Sequence, residues 1–297
     1  MAALLAFVRL TRPLFLYGGF AGVALGAAVA AWTGHRLDAA TYLWAQAMVT
    51  SLHLMVHYAN DYFDREGDAH AAQTPWSGGS GVLVAGALPA RAALTAALVC
   101  GAAGLALALR FAAAGDAVTA VIGVAIAAGA WCYSAPPIRL AARGLGELDT
   151  ALVVAVLVPC AGYAAFARAI DEPILAAVTP PAFAMFAMML CVELPDAGAD
   201  RASGKRTLVV RWGPARACPL IVASASIAAA VAVSVAWQTG STWHALALLP
   251  AFACAIALAR CVRRDPHTAT MAFWGVALCA TVVTGLAAAY AFGALGF

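Results

Sequence analysis

Two groups of acidic residues in this chain share one spacing, although they lie far apart in the sequence. The groups consist of Asp61, Asp64 and Asp68, and of Glu193, Asp196 and Asp200. The acids of each group are three and then four positions apart, which places them on one face of an α-helix. Carboxylates so close together repel one another unless a cation lies among them. Two such groups of hard oxygen ligands predict a site that holds Mg²⁺ between them.

An alternative is that both groups are solvated acidic loops. One such loop can arise by chance, but the shared spacing and the long uncharged stretch before each group favour the metal site. Pro195 leaves open whether a helix continues through the second group or a new turn begins there.

Basic residues near the acids suit the binding of a diphosphate. Lys205 and Arg206 follow the second group, and Arg139 and Arg143 follow another apolar stretch. Metal ions together with Arg and Lys are the usual clamp for a diphosphate. The alternative is that these cations anchor the protein at a membrane surface, and the sequence does not decide between the two. The glycine-rich stretch Trp76–Gly81 is either a phosphate-binding loop, a lid or a plain turn.

His53 and His57 are one helical turn apart, on about the face that carries Asp61 and Asp64. A hydrogen bond between helices is the favoured interpretation, and the lining of an acceptor pocket is the other. Aromatic side chains such as Tyr133 either stabilise a cation through their π faces or fill the core.

The composition indicates the elements that position these residues. Of the 297 residues, 64% are hydrophobic and 10% are charged, whereas a soluble domain has about 25% charged residues. The chain is therefore expected to be an all-α integral membrane protein with one domain, 1–297. In a membrane protein the net charge of +3 says little about nucleic acid, no basic run stands out, and no nucleic-acid partner is expected.

A membrane-spanning helix needs about 20 apolar residues, and nine segments meet this condition. They are Leu14–Trp32, Ala39–Ala59, Ala92–Leu109, Ala117–Tyr133, Thr150–Ala167, Ile174–Val192, Ala217–Gln238, Trp243–Ala259 and Thr270–Leu295. With nine spans, Arg36, Arg110 and Arg168 lie on one side, and the remaining 14 of the 17 basic residues lie on the other. The positive-inside rule places the larger set, the N-terminus and both acidic groups in the cytoplasm, and the C-terminus outside.

Several motifs resemble those of the UbiA superfamily of intramembrane prenyltransferases. The stretch from Asn60 to Asp68 resembles the first aspartate-rich motif of that family, and the stretch from Glu193 to Leu208 resembles the second with its continuation. Glu193 stands where an aspartate is more usual, and a longer acid can still bind a metal. The stretch from Tyr133 to Glu147 is similar to the menaquinone-type branch, and Arg12-Pro13 also fits the family.

The resemblance implies nine helices around a central cavity with cytoplasmic cap loops. It implies Mg²⁺-dependent transfer of a prenyl group from a polyprenyl diphosphate to an aromatic quinone precursor, such as 1,4-dihydroxy-2-naphthoate, in a bacterial inner membrane. The six acids would hold the metal, and five of them, Asp61, Asp64, Asp68, Asp196 and Asp200, would be catalytic. The implied substrate-binding residues are Asn60, Arg139, Arg143, Lys205, Arg206, Tyr133 and His57.

Three other functions compete with this interpretation. A terpene cyclase of the same family would ionise the same donor without an acceptor. A membrane transporter would use the acids to bind a cation, although transport sites usually lie near the bilayer midplane. A structural membrane subunit would leave the matching acids unexplained.

Overall fold

The computed structural model describes residues 2–69, 76, 79–239, 242–264 and 269–295. Within these ranges the chain is helical and contains no strand, which confirms the all-α prediction. The helices are α1 (Ala2–Leu10), α2 (Pro13–Trp32), α3 (Ala39–Asp68), α4 (Ala90–Ala113), α5 (Ala117–Ser134), α6 (Gly146–Leu152), α7 (Val158–Ala167), α8 (Glu172–Glu193), α9 (Ala197–Ala202), α10 (Leu208–Trp212), α11 (Pro214–Thr239), α12 (Thr242–Arg264) and α13 (Ala269–Ala294).

Eight helices in the described part of the chain are long and apolar enough to cross a membrane. They coincide with eight of the nine predicted spans. The second predicted span, Ala39–Ala59, is helical, but α3 carries polar side chains and continues to Asp68, and it is not one of the eight. A multi-pass membrane protein is therefore shown, and the count of nine spans stays a prediction.

Helices α2 and α7 approach each other closely because both carry glycine at the crossing. A Cβ atom on Gly26 would lie 2.5 Å from the backbone nitrogen of Tyr163, and one on Gly162 would lie 2.5 Å from the carbonyl oxygen of Val23. Small residues let membrane helices pack backbone against backbone in this way. The pair joins the group α3, α4 and α5 to the group α8, α11, α12 and α13.

One π-helical turn, Val153–Leu157, connects α6 to α7 within the membrane helix Gly146–Ala167. Pro159 follows two residues after this turn and has no N–H group to donate, so the regular α-helical bonding pattern is interrupted there. The wider turn presents Val153, Val154 and Ala155 to an internal cavity. Single π turns are frequent at functional sites.

Candidate active site

A cavity of about 410 Å³ lies among helices α2, α3, α5, α6–α7, α8 and α13. Acidic side chains from both sequence groups line it. These are Asp64, Asp68, Glu193, Asp196 and Asp200. The structure thus brings five of the six predicted acids to one site, where the C-terminal end of α3 meets α9.

Lys205 connects the two acidic groups. Its Nζ donates a hydrogen bond of 2.9 Å to Oδ2 of Asp64 and lies 3.8 Å from Oδ1 of Asp200. The side chains of Lys205 and Asp64 are only 16% and 7% exposed, so water screens this pair weakly. Burial lowers the pKa of Lys205, but Asp64 and Asp200 raise it, and the pKa ends above its ordinary value. Lys205 is therefore a fixed positive charge between the acids.

Asn60 links the first acidic group to two neighbouring elements. Its Nδ2 donates to Oδ2 of Asp64 and to Oγ of Ser134, each at 2.9 Å. Its Oδ1 accepts a 3.4 Å bond from Nη1 of Arg12. Arg12 also lines the cavity, although its chemistry was not assigned from the sequence, where the only signal was the pair Arg12-Pro13.

Asp61 has partners within the chain and does not line the cavity. Its side chain is buried and accepts hydrogen bonds from the backbone N–H of Ser80, at 3.2 Å, and from the Ser80 hydroxyl. Gly79, beside Ser80, lies against the Asp68 carboxylate. This part of the glycine-rich stretch covers the first acidic group, whereas residues 77 and 78 lie outside the described residues. The metal-ligand role of Asp61 stays a prediction.

The acids at the ends of the two groups have raised pKa values. Both lie beyond the predicted spans. Burial raises the pKa of Asp68 to about 7, although Lys205 opposes this. Burial likewise raises the pKa of Asp200 to about 6, again against Lys205. Five carboxylates line this end of the cavity beside Lys205, so a further cation would be stabilised here.

The donor set at this end fits Mg²⁺ that arrives with a phosphate. Oε2 of Glu193 is buried and has no hydrogen-bond partner among the described residues. In the same part of the chain, no three His, Cys, Asp or Glu side chains are close enough to hold an ion by themselves. Mg²⁺ commonly takes one or two carboxylates and fills its other positions with water and substrate phosphate.

Three predicted diphosphate-binding residues lie away from the cavity. Arg139, Arg143 and Arg206 are exposed and are absent from its lining. Nη2 of Arg143 donates to the carbonyl oxygen of Pro137 at 2.8 Å. Their contact with a diphosphate stays a prediction without support from this geometry. The cations that do line the cavity are Arg12 and Lys205.

Two imidazole rings, those of His53 and His57, form one wall of the cavity interior. His57 and His53 both line it, and their ring centroids are 4.7 Å apart. Nδ1 of His57 lies 2.7 Å from the carbonyl oxygen of Thr11. Since a carbonyl only accepts, Nδ1 carries the hydrogen, and Nε2 of the neutral ring is left as an acceptor. Tyr133 lines the cavity on α5, beside Thr150.

Apolar side chains of α8 and α13 form the remaining walls. Those of α8 are Met185, Met188, Met189 and Val192, and those of α13 include Val276, Cys279 and Val283. Unbranched methionine side chains adapt to irregular apolar ligands. One end of the cavity therefore suits an anion with metal, and the interior suits a hydrocarbon chain.

A family model described as "UbiA prenyltransferase family" matches residues 20–282. This chain belongs to the UbiA prenyltransferase family. The match covers both acidic groups, most of α2 and α13, and every helix between these two. As a member of this family, the protein is a prenyltransferase.

Solved structures share the fold of this UbiA family member at low sequence identity. A UbiA homologue from Archaeoglobus fulgidus, solved bound to GPP and Mg²⁺, has a TM-score of 0.70 at 18% identity, over 98% of this chain and 100% of that one. A homologue from Aeropyrum pernix K1 has a TM-score of 0.71 at 16% identity, over 90% and 96%. A structure of a digeranylgeranylglyceryl phosphate synthase has a TM-score of 0.71 at 15% identity, over all of both chains. No curated protein matches the sequence significantly.

Proposed function

We propose that this protein transfers a prenyl group from a prenyl diphosphate to an aromatic acceptor inside the membrane, with Mg²⁺ as cofactor. One observation carries the proposal: a single cavity joins five carboxylates and two cations at one end to apolar walls in its interior. Family membership supports transfer of a prenyl group. The A. fulgidus homologue with GPP and Mg²⁺ supports the same donor class and metal here.

The charged end of the cavity is the proposed diphosphate site. Asp64 and Asp68 on α3 would hold Mg²⁺ from one side, and Glu193, Asp196 and Asp200 would hold it from the other. Mg²⁺ bound there would supply positive charge that neutralises the diphosphate as it leaves. Lys205 and Arg12 donate hydrogen bonds to the leaving oxygens because they are the cations that line the cavity. Asp61 would act indirectly by holding Ser80 over the site.

The apolar interior would bind the prenyl chain and protect the allylic cation that forms when the diphosphate leaves. Met185, Met188 and Val283 present no nucleophilic oxygen to that cation, and a closed apolar site keeps water away from it. Tyr133 lines the same cavity, and the π face of its ring would stabilise the positive charge. His57 would contact the aromatic acceptor, which attacks the cation with a ring carbon.

The proposed acceptor is a quinone precursor such as 1,4-dihydroxy-2-naphthoate. The similarity of the stretch Tyr133–Glu147 to the menaquinone-type branch supports this acceptor. The proposed location is a bacterial inner membrane, with the acidic groups facing the cytoplasm and the C-terminus outside. The distribution of the 17 basic residues supports this orientation.

Product analysis with purified protein in detergent tests the function. Geranyl, farnesyl and longer prenyl diphosphates are each supplied with Mg²⁺, with and without phenolic acids that include 1,4-dihydroxy-2-naphthoate. We expect diphosphate release that requires an acceptor, and a prenylated ring in the mass spectrum. Release without acceptor, with a cyclic hydrocarbon or alcohol, would identify a terpene cyclase instead.

Charge-neutralising variants connect that activity to the acidic site. Asp64→Asn and Asp196→Asn should each abolish turnover and leave the protein folded. Asp38→Asn is the matched control, because Asp38 is exposed and caps α3 through a hydrogen bond to the N–H of Thr41, and asparagine caps about as well. Wild-type rates in both acidic-site variants would refute the metal assignment.

A further inference from the structure

Asp149 is a carboxylate in the cavity that belongs to neither acidic group. It lies in the membrane helix Gly146–Ala167, and its side chain lines the same cavity as the proposed diphosphate site. An ionisable residue inside a membrane helix is costly and usually faces a cavity where it serves a function. The diphosphate chemistry leaves Asp149 without a role.

The side chain of Asp149 lies against helix α5. Oδ1 of Asp149 lies 3.0 Å from where a Cβ atom on Gly129 would be. Gly129 lies one helical turn before Tyr133, so the carboxylate of Asp149 packs against α5 about one turn from the backbone of Tyr133. The carboxylate forms no ion pair with any cation in the described ranges.

The surrounding helices make room for this carboxylate. A side chain at position 129 would meet Oδ1 of Asp149 and also Cγ2 of Val153, at 2.5 Å. Glycine at that position leaves the space free. The π-helical turn that begins at Val153 then widens the same wall towards the cavity. Two independent features of the backbone therefore open the cavity at Asp149.

The chemistry of this wall selects a hydrogen-bond donor as its ligand. An ionised carboxylate only accepts hydrogen bonds, and Nε2 of His57, elsewhere in the cavity, is also an acceptor. A metal ion at Asp149 would need several further oxygen ligands, and among the described residues no group of acids or histidines supplies them. A neutral donor of small size, such as a ring hydroxyl, satisfies the carboxylate, whereas a second carboxylate would be repelled.

We propose that Asp149 orients the aromatic acceptor by accepting a hydrogen bond from one of its ring hydroxyl groups. This rests on the proposed prenyl transfer and identifies the acceptor as a hydroxylated ring whose hydroxyl points at Asp149. If the acceptor carries a carboxylate, that group points away from Asp149. Asp149 therefore determines which edge of the ring faces the prenyl cation.

The test compares hydroxyl acceptors with their methyl ethers, which cannot donate. Wild-type protein, Asp149→Asn and Asp149→Leu are assayed with 1,4-dihydroxy-2-naphthoate, 1,4-dihydroxynaphthalene and the monomethyl ethers of both. A hydrogen bond to a charged group corresponds to a preference of about tenfold or more in kcat/KM. We expect wild-type protein to show this preference for one hydroxyl, Asp149→Asn to show less of it, and Asp149→Leu to lose it. The KM of the prenyl diphosphate should stay unchanged.

The outcomes separate this proposal from the proposed function. If wild-type protein prenylates none of these rings, the proposed function fails and the role of Asp149 fails with it. If wild-type protein prenylates them and Asp149→Leu keeps the wild-type hydroxyl preference, only the role of Asp149 is refuted. Equal increases in the KM of donor and acceptor in Asp149→Asn would also refute it, because they would indicate a structural role. Asp38→Asn controls for the loss of one carboxylate.

Discussion

Substitutions of the adjacent residues Lys205 and Arg206 should differ sharply in their effect on catalysis. Lys205 lies between the acidic groups and is 16% exposed, whereas Arg206 is exposed outside the cavity. Lys205→Met and Arg206→Met each remove one positive charge, and the two positions are adjacent in sequence. We expect Lys205→Met to lose activity and Arg206→Met to keep at least half of it.

The size of the loss follows from the contact that Lys205 makes. Its 2.9 Å bond to Asp64 shows that Nζ reaches the face where the diphosphate would bind. A preorganised donor to charge that develops in the transition state contributes about 3–4 kcal/mol. Since 1.36 kcal/mol is about tenfold in rate, kcat should fall about 100- to 1000-fold. Arg206 has no such contact, and a surface charge contributes about 0–1 kcal/mol.

The assay is prenyl transfer at saturating Mg²⁺, with both variants purified in the same detergent. Elution as a single folded species on size exclusion controls for misfolding, and Lys205→Arg should recover part of the activity. A loss of the same size in both variants would refute the assignment, because it would show that general positive charge at the membrane surface matters. Full activity of Lys205→Met would exclude Lys205 from contact with the leaving group.

Three further predictions concern the metal, the acceptor and the fold. Burial raises the pKa of Asp68 to about 7 and that of Asp200 to about 6. Since both must be deprotonated to bind metal, Mg²⁺ affinity in the presence of inorganic diphosphate should fall as the pH drops from 8 to 6. Calorimetry in buffers of different ionisation enthalpy should detect proton release, and pH-independent affinity would contradict this. His57→Ala should raise the KM of the acceptor more than that of the donor, measured in steady state, whereas equal changes would indicate a packing role. Gly26→Ala should lower the free energy of unfolding by about 1–3 kcal/mol or more, since the added carbon overlaps the α7 backbone. Thermal unfolding in detergent measures this loss. Gly198→Ala is the control, because position 198 is open and the substitution should have little effect.

The spans and the acids were predictable from sequence because each depends on a local pattern. Lipid requires long uncharged stretches, so the predicted span Ala117–Tyr133 differs from helix α5 by one residue. Acids that follow such stretches on the same side of the membrane must meet at one end of the bundle. The spacing from Asp61 to Asp68 indicated a common helical face, and α3 does continue through all three residues.

The ranking of the basic residues was not predictable, because it depends on one turn. Gly204 has a φ of +81°, a conformation that favours glycine, and it ends the turn after α9. The backbone N–H of Lys205 then bonds to the carbonyl of Asp200 at 2.9 Å, while that of Arg206 bonds to the carbonyl of Ala142 at 2.9 Å. The chain thus turns the first side chain into the cavity and the next one out. The charges of Lys205 and Arg206 do not predict which of the two side chains enters the cavity.

Asp61 and Asp64 show the same limit for the acids. They are three residues apart on one helix, and both are buried. The difference lies in what covers them: Ser80 returns from a distant part of the sequence to bond Asp61, whereas Asp64 faces the cavity and Lys205. Helical periodicity predicts that Asp61 and Asp64 share a face of α3. It does not predict that Asp61 bonds to Ser80 while Asp64 lines the cavity, because that depends on the tertiary structure.

The arrangement of the charged end favours joint binding of metal and diphosphate. The five cavity acids come from two elements, and Lys205 bonds one group to the other. Mg²⁺ that binds alone would find too few oxygen ligands in one place among the described residues. A diphosphate supplies the missing oxygens and also gives Lys205 a new anionic partner, which frees Asp64. Each component therefore improves the site for the other, and their coupling must be reciprocal. Under the proposed function, the donor would therefore ionise only when metal and diphosphate are both bound at the charged end.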